Sequence, residues 1–180
     1  MQLRPLMLAL DTHVTFCFVD APSASIGPQD PTIPDEVPTY EWYGVPGDFA
    51  HGWMREGEPA DLDAATRALN VDGPYDGVIG FSQGAHVAGC VDARWAVLFS
   101  AVTPPNGRTP RRWDRPTFHA YDPAEEYAHM CKQVVDDAAP PTATTTRTHA
   151  AGHNVPHDSA SVEAVVAFVR AQLSAPPVLN

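Results

Sequence analysis

Ser82, His153 and a carboxylate at Asp122 or Glu125 are residue types that together can transfer an acyl group, provided the fold brings them within hydrogen-bond reach. Ser82 lies in Gly80-Phe81-Ser82-Gln83-Gly84, a Gly-x-Ser-x-Gly pattern. Glycine and serine are common in plain turns, so the pentapeptide acquires meaning from its surroundings. Before it, Pro74 to Ile79 reads as a turn feeding a short apolar strand, and after it the small residues Ala85 to Gly89 suit a helix packed close to a sheet. A strand, a sharp turn and a helix in that order make a nucleophile elbow. Glycines two before and two after the serine relieve clashes in that turn. The backbone N–H of Gln83, next after the serine, is the expected oxyanion donor.

A serine hydroxyl needs a base, and the base needs an orienting acid. His153 sits in Ala150-Ala151-Gly152-His153-Asn154-Val155-Pro156, where Gly152 lets the chain turn and Pro156 prevents helix, between the last strand and the final helix. Asp122 follows the strand Thr117 to Tyr121 directly and is the favoured acid, with Glu125 as the alternative. Asp122-Pro123-Ala124-Glu125 also reads as a helix start, with Asp as N-cap, Pro at the first position and Glu at the third.

The remaining histidines invite other readings. His149, His153 and His157 with Asp158 have a four-residue spacing that would align metal ligands on a helix, but Gly152 and Pro156 break any helix there. No metal and no cofactor are expected. His86 lies one turn past Ser82 on a helix leading away from the strand end, and His13, His51, His119 and His129 have no partner pattern, so all are assigned to structure.

The elements that must position these groups alternate along the chain. His13 to Asp20 is a β-branched and aromatic run that predicts a buried strand. From Pro22 to Gly57 six prolines interrupt any regular ladder while Tyr40, Trp42, Tyr43, Phe49 and Trp53 supply large apolar surfaces, which predicts a lid or pocket wall. Trp42, Tyr43 and Trp53 are the substrate-binding candidates. Asp61 to Asn70 predicts an amphipathic helix, followed by the strand to Phe81, the elbow helix to about Ala93 and a strand at Trp95 to Ser100. The loop Ala101 to Arg115, with Arg108, Arg111, Arg112 and Arg115, reads as a solvated face. A strand to Tyr121, a helix from Asp122 to about Asp137, a Thr-rich strand at Thr144 to His149 and an amphipathic helix at Ser159 to Leu173 complete a parallel, three-layer α/β sheet.

The 180 residues predict one domain. A formal charge of −11 argues against binding nucleic acid, which needs a basic face. Cys17, Cys90 and Cys131 are widely spaced and odd in number, and read as buried thiols of a reducing compartment. The apolar stretch Leu6 to Leu10 is too short for a signal peptide or a membrane span, so a cytoplasmic protein without a membrane partner is expected.

From Val14 to Leu173 the chain resembles the fungal serine-hydrolase family of α/β hydrolases, which includes polyketide-releasing thioesterases and small carboxylesterases. The matching segments are Phe18 to Pro22, the block Gly73 to Ala85, Trp95 to Ser100, Arg115 to His119 and Gly152 to Pro156. The resemblance implies Ser82 as nucleophile and His153 as base. An ungapped count from His119 puts the family's acid on Glu125; the Asp-Pro pattern puts it on Asp122. Family members begin with a strand carrying a Leu-His-Gly-x-Gly segment, whose loop gives a second oxyanion donor, and that segment is not found in this sequence. The expected fold is therefore an N-terminally truncated, three-layer α/β-hydrolase-like sheet of about five strands. Loss of one oxyanion donor typically costs about a hundred- to a thousandfold in rate.

These readings converge on a serine hydrolase cleaving an ester or thioester through an acyl-enzyme, in the setting of secondary-metabolite (polyketide) biosynthesis. Its partner is a small-molecule acyl substrate, free or presented by a carrier protein. The contrasting expectation is a cyclase, isomerase or binding module on the same scaffold, impaired in hydrolysis by the missing oxyanion loop.

Overall fold

The computed structural model describes residues 2–25, 34, 36–42, 66, 67, 69, 73–102, 115–138 and 143–175. Six strands and four helices are delimited among them: α1 (Arg4–Leu10), β1 (Ser23–Ala24), β2 (Tyr40–Glu41), β3 (Tyr75–Phe81), α2 (Gln83–Ala88), β4 (Ala93–Phe99), β5 (Thr117–Tyr121), α3 (Ala128–Asp137), β6 (Thr144–Thr148) and α4 (Ser159–Ser174). Strands β3 to β6 form one parallel sheet in the order β3-β4-β5-β6, and β1 pairs antiparallel with β2.

Alternation along the strands sorts the core into two layers, because successive side chains point to opposite faces. Trp95, Val97 and Phe99 of β4 and Phe118 and Ala120 of β5 face α1 and α4, where Leu6, Leu10, Val165, Val166 and Val169 meet them. Ala96 and Leu98 face the other way, onto Ala85 and Ala88 of α2 and Val134 of α3. Helices thus cover both faces, giving the three-layer α/β architecture. At Gly77 the indole of Trp95 lies across β3, 2.0 Å from where a Cβ would stand. Only glycine leaves room for that ring.

The element bounds differ from the sequence expectations in four places. His13 to Asp20 forms no strand: His13 and Val14 close a turn on the Leu10 carbonyl, the residues after them join no ladder, and Phe18 is 54% exposed. This segment and β3 both line a cavity of about 660 Å³, with Val14, Phe16, Phe18, Val78 and Phe81 on its walls. High β-propensity makes no ladder without a strand edge at about 4.8 Å. Cys17 is accordingly exposed, whereas Cys131 is buried and Cys90 is intermediate; no disulfide joins any of the three. The elbow helix ends at Ala88 rather than near Ala93, and β4 begins at Ala93. The helix expected from Asp122 begins at Ala128, because Asp122 makes turns with the residues after it.

Arg115 supplies the fourth difference. Instead of lying in a solvated loop it is 7% exposed, and its guanidinium donates to the carbonyls of Ala88 (2.9 Å), Gly89 (3.3 Å), Ala93 (2.8 Å) and Val91. A cation on the last carbonyls of α2 satisfies acceptors that a helix end leaves open and complements its dipole. Arg108, Arg111 and Arg112 lie outside the described residues. So does most of 22–57, with Tyr43, Phe49 and Trp53. Of the predicted helix Asp61 to Asn70, Thr66, Arg67 and Leu69 are described and are helical.

Candidate active site

Every residue with a candidate chemical role projects from the carboxyl end of a sheet strand, where parallel α/β folds place their sites. Ser82 follows β3 with φ 54° and ψ −123°. Such a backbone is sparsely populated for a residue with a side chain, and it persists because neighbours hold it. The Ser82 N–H donates to the Phe99 carbonyl at 2.9 Å, and the Ser82 carbonyl accepts from Ala85 N at 3.1 Å. At Gly80 a Cβ would stand 2.3 Å from the Gly84 carbonyl oxygen, so the turn closes only over glycine. Gln83 opens α2, and its Oε1 accepts the Trp42 backbone N–H at 3.3 Å, which sets the Trp42 indole beside Gly84 of the elbow.

His153 joins the serine to an acid. Its Nε2 is 3.0 Å from Ser82 Oγ, and its Nδ1 is hydrogen-bonded to Glu125 Oε2. The ring packs between Phe81, at 5.0 Å and 45°, and Tyr127, edge-on at 5.0 Å. Burial, reinforced by Glu126, pushes the Tyr127 phenol up to about 12, so it stays protonated at neutral pH. The Glu125 side chain is 1% exposed and the imidazole 28%. The carboxylate is therefore shut off from water while the imidazole is partly open to it.

The carboxylate facing the imidazole is that of Glu125, not the favoured Asp122. Asp122 Oδ1 accepts Ala124 N at 2.8 Å and Oδ2 accepts Gly152 N at 2.8 Å. These backbone donors, Ala124 first, hold its carboxyl below the usual range. Asp122 thus ties the β5 loop to the histidine loop, where Gly152 turns at φ 63°. Its turn, closed by Glu125 N on the Asp122 carbonyl at 3.1 Å, brings Glu125 under the imidazole.

Two further residues stand against Glu125. Ser100 Oγ donates to Glu125 Oε1 at 2.9 Å, and Cys131 Sγ lies 3.5 Å from the same oxygen. Sequence reasoning passed over both. The signal available was positional: Ser100 ends β4 as Ser82 ends β3, and Cys131 lies two turns beyond Glu125 at the start of α3.

The other histidines take separate partners. His149 Nδ1 accepts Ala151 N at 3.2 Å, His157 Nε2 meets the Gln2 carbonyl at 2.7 Å, and His86 is fully buried within α2. Gln2 also touches the histidine loop through Asn154 at 3.5 Å and Val155 at 3.4 Å. Among the described residues no group of three His, Cys, Asp or Glu is placed to hold a metal ion, and no described helix is long and apolar enough to cross a membrane.

A parallel sheet covered on both faces, with a serine on an elbow and a histidine after the last strand, defines the chain as an α/β-hydrolase fold. The family described as Serine hydrolase (FSH1) matches residues 1–165, and the chain belongs to it. The chain is 25% identical over 175 residues to Esterase OVCA2 of Mus musculus, spanning 83% of this chain and 75% of that protein. Among solved structures, Arabidopsis thaliana SOBER1 has a TM-score of 0.64 at 11% identity, covering 96% of this chain and 92% of that one. Esterase PE8 has a TM-score of 0.51 at 16% identity, covering 74% and 70%. These two share the fold.

Proposed function

We propose that Ser82, His153 and Glu125 are the catalytic triad of an esterase or thioesterase that works through an acyl-enzyme. The observation that carries this is the single imidazole bonded to Ser82 on one nitrogen and to Glu125 on the other. His153 Nε2 takes the Ser82 proton as Oγ attacks the acyl carbonyl. Glu125 holds the other ring nitrogen as donor and stabilises the imidazolium that forms. The backbone N–H of Gln83 donates to the developing oxyanion. Collapse breaks the bond to the leaving alcohol or thiol, which receives the proton from His153. Water, deprotonated by the same nitrogen, then releases the acid and restores Ser82.

The substrate is a small-molecule acyl ester or thioester, free or on a carrier protein. Trp42 walls the acyl side, and Tyr43 and Trp53 belong to the same proposed wall. Release of a polyketide or other secondary metabolite in the cytoplasm is the setting, supported by the family resemblance. Asp122 acts through the loops rather than on the imidazole.

The test is labelling with a fluorophosphonate probe and turnover of p-nitrophenyl acetate beside an N-acetylcysteamine thioester. Wild-type protein is labelled at Ser82, and Ser82→Ala loses labelling and on the order of a thousandfold or more in turnover. Folded wild-type protein that resists the probe and turns over neither substrate refutes the reading. Faster turnover of the thioester assigns the leaving group.

A further inference from the structure

Ser100 combines three properties that its place in the core does not require together. It is fully buried, it is one of two described non-glycine residues with positive φ, at 43°, and its hydroxyl is aimed at a carboxylate. The other such residue is Ser82. A left-handed conformation costs a residue with a Cβ free energy that glycine avoids, and strain of this kind points to a local function. Ser100 follows the last residue of β4, and its N–H still donates to the Ala120 carbonyl at 2.8 Å. Its side chain turns toward the β5 loop, where the hydroxyl meets Glu125.

The target is the oxygen of Glu125 that does not face His153. Oε1 sits between Ser100 Oγ at 2.9 Å and Cys131 Sγ at 3.5 Å, while Oε2 meets Nδ1 of His153. A buried carboxylate that lacks donors on one oxygen is costly to keep charged and free to rotate. Two donors from different elements, the end of β4 and the start of α3, fix its plane. We propose that Ser100 and Cys131 are positioning residues that clamp Glu125 so that its second oxygen stays on the imidazole. This rests on Glu125 being the triad acid. The thiol suits this role because burial, with the Glu125 charge beside it, pushes its titration well above the ordinary thiol range, so it remains an S–H donor.

The geometry also provides a variant that separates holding the fold from holding the acid. Ser100→Gly removes the hydroxyl while relieving the positive φ. The clamp predicts that Ser100→Gly, in which relief of the positive φ offsets part of the lost hydrogen bond, keeps a melting temperature close to wild type, yet lowers kcat on p-nitrophenyl acetate about tenfold, with KM within about twofold. A merely structural serine would move stability and turnover together. Cys131→Ala is expected to lower kcat about threefold, the lesser loss matching the longer contact, and Cys131→Ser to recover most of it. In the Glu125→Ala background, Ser100→Gly should cause no further loss, because the group it acts through is gone.

Ser100→Gly that folds with wild-type kcat overturns the clamp, as does a loss repeated in full in the Glu125→Ala background. If Ser100→Gly does not fold, the Cys131 pair decides: equal kcat for Cys131→Ala and wild-type overturns the clamp, and loss by Ala with recovery by Ser supports it. Full activity in Glu125→Ala alone is a different result, removing the triad assignment and with it the clamp.

Discussion

Asp122 and Glu125, three residues apart, take different roles because their oxygens meet different donors. Asp122 accepts two backbone N–H groups, from Ala124 and Gly152, whereas Glu125 accepts a side-chain hydroxyl and faces the imidazole. Glu125→Ala should therefore lower kcat by roughly a thousandfold or more, as loss of a histidine's acid partner does. Asp122→Asn should lower it by only about tenfold, through a misplaced Gly152 turn. Steady-state kinetics of the two variants on one ester decides the order. The depressed Asp122 titration adds a stability term with a definite sign: it is present in full above the ordinary value of 3.8 and is lost as the pH falls through the depressed one. The serine and histidine were legible because each is announced by glycines at fixed offsets. The carboxylate was not, because Asp-Pro-Ala-Glu is equally good as a helix start and as a turn. The choice between them depends on Gly152, thirty residues away.

At the scale of elements, the elbow is a strand and a short helix held at the far end by a side chain from elsewhere. α2 has only six residues, too few to be stable alone, and the guanidinium of Arg115 gathers its last carbonyls. Removing that group leaves buried acceptors unsatisfied at about 1 to 3 kcal/mol each. Arg115→Met should therefore destabilise the fold by about 3 kcal/mol, read as a lower urea midpoint with an unchanged m-value. The strands of the sheet were legible as short apolar or Thr-rich runs, and α4 from its helical periodicity. The segment His13 to Asp20 was not, because β-branched and aromatic residues record a preference for extended backbone and not the presence of a partner edge. The burial of Arg115 was not legible because one loop carries four arginines, and sequence does not say which of them turns inward.

Across the whole molecule, charge and burial pull stability in opposite directions as the pH falls. The formal charge of −11 means that protonating carboxylates relieves repulsion. His119 acts the other way. Burial between the sheet and its covering helices pushes its imidazole down from 6.5 to about 4, and Nε2 lies 3.1 Å from Thr117 Oγ1. The unfolded chain takes up this proton below 6.5 while the folded chain resists until about 4, so stability is full above 6.5 and is lost as the pH falls toward 4. At about 1.4 kcal/mol per unit this single group contributes roughly 3 kcal/mol of acid sensitivity. His119→Gln should flatten the dependence of the unfolding free energy on pH between 7 and 4.5, a comparison in which the carboxylate contribution cancels.

The two described ends of the chain lie at opposite ends of the sheet strands, although α1 and α4 cover the same face. Gln2 is fastened to the loop of His153, whereas the carbonyl of Ala175 is held by Arg94, near the amino end of β4, at 2.9 Å. Gln2 is thus on the same end of the strands as Ser82 and His153, and Ala175 is on the other. A fusion partner or affinity handle at the amino terminus should therefore slow turnover of p-nitrophenyl acetate more than the same group at the carboxyl terminus, a difference that steady-state kinetics of the two fusions reads.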